Sequence, residues 1–236
     1  MNKTKNISLK FGLFSSIALT ILTIITFGFA MIAIPPAGPN CPGNCMEYPF
    51  IDLLLYYPRD YNWMYLAVFQ LFAFLIFVIS IHYIAPVEKR IFSFISVAFA
   101  LISTTVLLAD YFIQFAVVPI SMMKGETEGI ALLTQYNGHG IFIALEELGY
   151  ITMSIALFFL APVFSSSNRL GKSIRWLLFL PFILIILSFV AYSFYFGIDR
   201  SYRFEVASIT INWLFLIAVS ILVSIFYKRM IKNQTK

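Results

Sequence analysis

Three acidic residues lie inside long apolar stretches of this chain, where an ionised side chain is costly. They are Asp110, Glu146 and Glu147. Even the insertion scales with the lowest values give a free-energy cost of about 2.5–3.5 kcal/mol for an Asp at the centre of a membrane-spanning helix. Carboxyl groups at such positions bind protons or cations, transfer protons in catalysis, or form buried hydrogen bonds that fix helix packing.

Other polar side chains at a similar depth can join these acids in one site. Asp110 and Gln114 are four residues apart, so they share a face of their helix. Glu146 and Tyr150 lie on one stripe at helical spacing, which we predict to start at His139. The predicted ligand-binding residues are Asp110, Gln114, Glu146, Glu147, Tyr150, Gln70, Asn212, His139 and Arg203.

Basic and apolar residues near the acids set further expectations. Arg200 and Arg203 are the most obvious counter-charges, and one of them is expected to reach Glu146 or Asp110. Phe142 falls on the side of its helix that is predicted to face lipid. A single nearby histidine is a weak ligand set for zinc, so no metal site is predicted, and the sequence identifies no cofactor.

The composition indicates that lipid surrounds most of the chain. Of the 236 residues, 61% are apolar, 18% aromatic and only 11% charged, unlike a soluble domain. A helix crosses a hydrocarbon core with roughly 20 apolar residues, and six stretches are long enough. We therefore predict an all-α integral membrane protein, a six-helix bundle forming a single transmembrane domain over residues 1–236. The predicted spans are 11–34, 63–85, 91–119, 140–162, 174–197 and 205–227.

The distribution of Lys and Arg predicts the orientation of these spans. Twelve of the basic residues fall on one side and four on the other, which makes the first side cytoplasmic. Both termini are then cytoplasmic, and loops 35–62, 120–139 and 198–204 are extracytoplasmic. We expect the protein in the cytoplasmic membrane of a prokaryote. The net charge of +5 reflects this orientation, and no nucleic-acid partner is predicted.

Two outer loops carry features of their own. Loop 35–62 contains Cys41 and Cys45, whose close spacing in an oxidising compartment predicts a small structural disulfide. In the same loop, the apolar and aromatic segment 48–57 is too short to span, and we expect it to lie at the membrane interface. Loop 120–139 could cover the outer mouth of the bundle.

Three classes of function fit these residues. The first is an outward-facing carboxylate-rich pocket that binds or transports a small ligand, either cationic, an amine or proton-coupled, because neighbouring buried carboxylates cannot all ionise. The second is a membrane-embedded acid–base enzyme acting on a lipid-like or isoprenoid substrate, with Asp110, Glu146 and Glu147 as catalytic candidates. The third is an accessory subunit of a membrane complex.

The expected partners follow from the same classes. They are membrane lipid and a small-molecule or lipid-like ligand. A six-helix carrier forms with difficulty from one subunit, so a homo-oligomer is possible. Whether the chain is an enzyme stays open at this point.

Overall fold

The computed structural model describes residues 3–33, 36–39, 41–43 and 45–234, and this part of the chain is helical with no strand. Predicted loop and terminal positions Ile34, Pro35 and Lys236 lie outside the described residues. The α-helices are α1 (Lys3–Ile32), α2 (Asn62–Ile84), α3 (Arg90–Ala116), α4 (Val118–Met123), α5 (Ile130–Leu133), α6 (Ile141–Leu160), α7 (Arg169–Phe196) and α8 (Arg203–Gln234).

Six of these helices are long and apolar enough to cross a membrane, as predicted. They are α1, α2, α3, α6, α7 and α8. The helices extend several residues beyond the predicted spans at the start of α1, at the start of α7 and at the end of α8, where each helix continues past the apolar stretch. Charged residues are good helix formers, so an apolar count underestimates helix length at these ends.

A proline divides the third predicted span. Helix α3 ends at Ala116 and α4 starts at Val118, because Pro119 lacks a backbone N–H and disfavours helical geometry in the residue before it. The predicted loop 120–139 is therefore partly helical and contains the end of α4 and all of α5. Helix α7 contains Pro181 and continues through it to Phe196, where Gly197 at a φ of 61° ends the helix.

The six long helices form a closed ring of antiparallel neighbours. Helix α1 packs against α2 and α8, α3 packs against α2 and α6, and α7 packs against α6 and α8. Hydroxyl groups set the register of α3 on α6. Ser96 donates to the carbonyl oxygen of Ala156 (2.7 Å). Seven residues along, Ser103 donates to the carbonyl oxygen of Gly149 (2.8 Å), so the two helices run in opposite directions.

The two ends of the ring differ in their connections. The end that we call the basic end contains the start of α1, the end of α8 and residues 85–89 and 161–168, with Lys and Arg concentrated there. The other end, the cavity end, contains residues 36–61, 117–140 and 197–202. The long connections therefore all lie at the cavity end.

Polar side chains of the basic half pair with one another across helices. The Tyr227 hydroxyl on α8 contacts Ser80 Oγ on α2 (3.3 Å), and Ser80 contacts Ser15 Oγ on α1 (3.2 Å). Gly12 on α1 permits this contact, because a Cβ there would overlap the Tyr227 ring. Thr20 and Ser220 form a further α1–α8 contact at 2.7 Å.

The connections at the cavity end pack on one another in a second apolar cluster. Phe50 and Leu53 from segment 48–57 contact Val118, Ile130 and neighbouring residues of the other long connection. The predicted interfacial position of 48–57 is untested. The sulfur atoms of Cys41 and Cys45 are at disulfide distance, which agrees with the predicted pair.

We expect Gly12→Ala to lower the thermal stability of the purified protein in detergent. The added methyl group must displace the buried Tyr227 ring, and overpacking of this kind costs about 1–3 kcal/mol. Gly28→Ala on the same helix is the matched control, because no atom lies within 4 Å of its new Cβ. Thermal unfolding followed by size-exclusion chromatography compares the two variants. Equal melting temperatures would contradict the proposed packing of α1 on α8.

Candidate functional site

Asp110 and Glu146, predicted to face one another from neighbouring helices, are both buried and near each other in the structure. Asp110 is 1% exposed and Glu146 is 0% exposed. The Asp110 carboxyl group lies within electrostatic range of Glu146. Oδ2 of Asp110 and Oε2 of Glu146 have no hydrogen-bond partner among the described side chains. The antiparallel register of α3 and α6 therefore brings two carboxyl groups to similar depth at the cavity end.

Glu205 is a further member of this cluster that the sequence analysis did not include. It lies in the first turn of α8, is 7% exposed, and its carboxyl group is within electrostatic range of Glu146. The signal was present: Glu205, Ser208 and Asn212 follow helical spacing and are all buried.

Glu147 occupies a different environment from Glu146 although the two are adjacent. Its carboxylate forms an ion pair with Arg200 (3.4 Å). The Arg200 guanidinium also donates to Ser193 Oγ on α7 (3.2 Å) and lies 4.6 Å from the centroid of the Phe189 ring. The expectation that an arginine reaches Glu146 or Asp110 is wrong, because successive helical residues point about 100° apart and Arg200 meets Glu147 instead.

A chain of hydroxyl groups ends on Glu146. Tyr111 donates to Oε1 of Glu146 (2.8 Å), so the contact between the Tyr111 and Tyr150 hydroxyls (2.9 Å) has Tyr150 as donor. Asn212 donates to the backbone oxygen of Tyr150 (3.0 Å) and fixes α8 against α6. These bonds hold Glu146 as a hydrogen-bond acceptor and fix its position.

Next to this cluster is a cavity of about 360 Å³. Its floor includes Glu146 and Glu205, and its walls are mostly apolar and aromatic. Asp110 does not line it. Residues that line it are Phe27, Ala30, Met31, Ala33, Pro36, Ala37, Asp60, Trp63, Gln135, Tyr136, Phe142, Ile143, Glu146, Tyr202, Glu205, Val206, Ile209, Thr210 and Trp213.

Aromatic rings form much of the wall around the two glutamates. The Trp213 ring packs edge-on against Phe27 (5.7 Å between centroids) and against Trp63 (6.1 Å). Phe142 is also part of the wall and is 3% exposed, so its predicted lipid-facing position is wrong. The error arises because the Phe142 ring contacts Tyr111 on α3. Helix α3 therefore covers more of the surface of α6 than the stripe of acidic residues indicated.

Two tyrosines from the connections close the cavity at its outer end. Tyr202 donates to the backbone oxygen of Gln135 (3.3 Å), and Tyr136 donates to Oδ2 of Asp60 (3.3 Å). Burial raises the pKa of both phenols, and the nearby Glu205 carboxyl group raises the pKa of Tyr202 further. Both residues therefore stay neutral and act as hydrogen-bond donors. Asp60 also pairs with Arg59 (2.6 Å).

Several predicted ligand-binding residues lie outside the cavity lining. Gln114 supports the outer connection, where it donates to the oxygen of Leu133 (2.6 Å) and accepts from the N–H of Gln135 (3.0 Å). His139 is exposed, because α6 begins only at Ile141 and the predicted stripe does not extend back to it.

The remaining predicted residues take different positions. The Arg203 guanidinium lies 4.2 Å from the centroid of the Phe196 ring and does not reach the acids. Gln70 is buried in α2 away from the cavity lining, and its amide has no partner in the described part of the chain. Tyr150 and Asn212 are buried directly behind Glu146.

Metal ligation has little support in this geometry. Across residues 3–33, 36–39, 41–43 and 45–234, no group of three or more His, Cys, Asp and Glu side chains is arranged to hold a metal ion. The fold and the site together define a six-helix protein with an apolar cavity and a buried carboxyl cluster. No family model, curated protein or solved structure matches the chain.

We expect Arg200→Gln to lower the thermal stability, because it leaves the half-buried Glu147 carboxylate without its cation. The double variant with Glu147→Gln should recover much of this loss, with a coupling of about 1 kcal/mol for a partly exposed pair. Melting temperatures of the two single variants and the double variant complete the cycle. Arg203→Gln is the matched control, because the Arg203 guanidinium contacts no carboxylate and Glu147→Gln should not rescue it. Failure of the double variant to recover would disprove the pairing.

Proposed function

We propose that this protein is a membrane protein that binds a small organic cation, an amine or quaternary ammonium group, in the cavity against Glu146 and Glu205. One observation carries the proposal. The two carboxyl groups are buried together at an open cavity, and no Lys or Arg in the described chain pairs with either of them. Adjacent Glu147 has its arginine, so the absence of a cation at the pair is specific to that position.

The physical argument is that a buried carboxylate needs a partner. Two neighbouring buried carboxyl groups cannot both ionise at low cost, so one of them carries a proton until a cation replaces it. The surrounding rings favour a cation further, because the faces of Trp and Phe attract ammonium groups. Trp63, Trp213 and Phe27 supply such rings on one side of the cavity.

The proposed membrane orientation places this cavity at the extracytoplasmic side. The support is the charge distribution of twelve basic residues at the basic end and four at the cavity end. Both termini are then in the cytoplasm. Disulfides form in oxidising compartments, so a disulfide between Cys41 and Cys45 on the extracytoplasmic side agrees with that orientation. A prokaryotic cytoplasmic membrane fits the same arrangement.

Binding is better supported than conduction through the ring. In the described basic half, the buried polar groups are mainly hydroxyls that bond to backbone oxygens or to each other, as Ser16, Ser80 and Tyr227 do. Such groups are satisfied in place and offer no chain of carboxylates across the membrane. Transport of the cation would require a second conformation.

Ligand binding can be measured through intrinsic fluorescence. Trp63 and Trp213 line the cavity, and replacing Trp176, which lies at the basic end, with Phe leaves a signal from the cavity alone. We expect butyltrimethylammonium to quench this signal saturably, whereas neutral 1-hexanol at equal concentration should not.

We expect Glu146→Gln or Glu205→Gln to weaken binding of butyltrimethylammonium by about tenfold or more, since loss of a buried charge contact costs upwards of ~1.4 kcal/mol. Glu147→Gln is the matched control and should stay within about twofold, because Arg200 already neutralises that residue. Unchanged affinity in all three variants would contradict the proposed site and favour an accessory subunit.

Acid–base catalysis on a lipid-like substrate is the second candidate function. The observation that favours it is the unequal hydrogen bonding of the pair: Glu146 accepts from Tyr111, whereas Oε2 of Glu205 has no hydrogen-bond partner among the described residues. Glu146 is thereby stabilised as the base and Glu205 is left to carry the proton.

An enzyme should convert some lipid of its own membrane. Incubation of wild-type protein and Glu205→Gln with total lipid extract, followed by mass spectrometry, tests this. We expect a product to form with the wild-type protein and not with the variant if Glu205 is the acid. Identical lipid profiles after prolonged incubation would count against catalysis.

A further inference from the structure

The side on which the cavity opens is the feature that defines its ligand further. The lining residues at the outer end, including Ala37, Tyr136 and the half-buried Tyr202, come from the connections and close that end. The two lining residues with the greatest exposure are instead Met31 on α1 (72%) and Val206 on α8 (44%). The cavity therefore opens sideways, between the end of α1 and the start of α8.

This side opening is apolar. Met31 and Val206 form its edge, and the half-buried Ile209 and Thr210 continue it along α8. Neighbouring exposed residues of α1 are also apolar, such as Phe29 and Ile32. An opening of this kind admits hydrocarbon without desolvating charge, whereas a hydrated ion would lose water there with no charged side chain to replace it.

The roof of the cavity is held closed by specific contacts. The Tyr202 ring lies against Gly38 in one connection and Gly138 in the other, and a Cβ at either glycine would overlap or crowd this ring. The Tyr202 hydroxyl bonds to the backbone oxygen of Gln135. Entry from the aqueous side at this point would require displacement of Tyr202, whereas the side opening is already present.

The volume sets how much of a ligand the cavity encloses. At about 360 Å³ it is near the lower end of the roughly 300–1,000 Å³ found for small-molecule pockets. A ligand with a long hydrocarbon chain can pass that chain out through the side opening into the lipid.

We propose that the ligand is a single-chain membrane amphiphile with a cationic head, whose head contacts Glu146 and Glu205 and whose hydrocarbon chain leaves between α1 and α8 into the lipid. This inference rests on the proposed function and adds the ligand class and its route. Charge complementarity selects the head: the floor has two carboxyl groups without a cation, and the side chains at the opening are uncharged.

The test uses two probes and two matched double variants. Butyltrimethylammonium and hexadecyltrimethylammonium have the same head group, and only the second has a long chain to follow the side opening. Val206→Phe with Thr210→Phe narrows the side opening. Leu214→Phe with Ile221→Phe adds the same bulk at exposed positions of α8 outside the cavity lining. Binding is measured in nanodiscs by the fluorescence of the cavity tryptophans, and the concentration of each probe is given as its mole ratio to lipid.

We expect wild-type protein and the Leu214/Ile221 variant to bind both probes. The Val206/Thr210 variant should lose at least about tenfold more affinity for the hexadecyl probe than for the butyl probe, and the butyl binding that remains shows that it is folded. Equal binding of both probes by the Val206/Thr210 variant, or butyl binding without hexadecyl binding in wild type, overturns the route while the proposed function stands. Absence of binding by either probe overturns both.

Discussion

The burial of Glu146 and Glu205 near each other is the constraint on which the rest of the structure depends. Two carboxyl groups buried together repel if both ionise, so the fold must hold them in place against that repulsion. It does so with neutral donors: Tyr111 bonds Glu146, Tyr150 bonds Tyr111, and Asn212 ties α8 to the backbone of Tyr150. Three helices are thus fixed around one acidic pair. Helix packing alone does not require two buried carboxyl groups, whose burial costs free energy.

The comparison of Glu146 with Glu147 separates a stabilising acid from one available for a ligand. Both lie in the second turn of α6, and the helix turns them to different neighbours. Glu147 meets Arg200, which also contacts α7 through Ser193 and Phe189, so this ion pair joins helices that are otherwise held by apolar packing. Glu146 meets a second acid and an empty volume. Arg200 neutralises Glu147, whereas the neutralisation of Glu146 is left to a proton or a ligand.

The sequence was sufficient for the six long helices and for the depth of Asp110 and Glu146, because hydrophobic length and helical rise follow from residue type and number alone. It was insufficient where a contact depends on which helices become neighbours. Glu205 lies two residues from Arg203 in sequence, yet the packing of α8 against its neighbouring helices buries the Glu205 side chain. Phe142 is buried by Tyr111 on α3 for the same reason. The predicted helical stripe does not extend back to His139 for a local reason, since α6 starts after Gly140.

The two halves of the ring use polar groups in opposite ways, and this difference bears on mechanism. In the basic half, hydroxyls such as Ser15 and Ser80 bond to backbone oxygens or to one another, which satisfies them without charge. In the cavity half, carboxyl oxygens of Asp110, Glu146 and Glu205 remain without partners among the described residues. Unsatisfied buried groups are expensive, and they persist where a ligand supplies the missing bond. Because the satisfied half lies directly beneath the unsatisfied one, the structure favours a ligand that enters from the side and stops at the acids over one that passes through the ring.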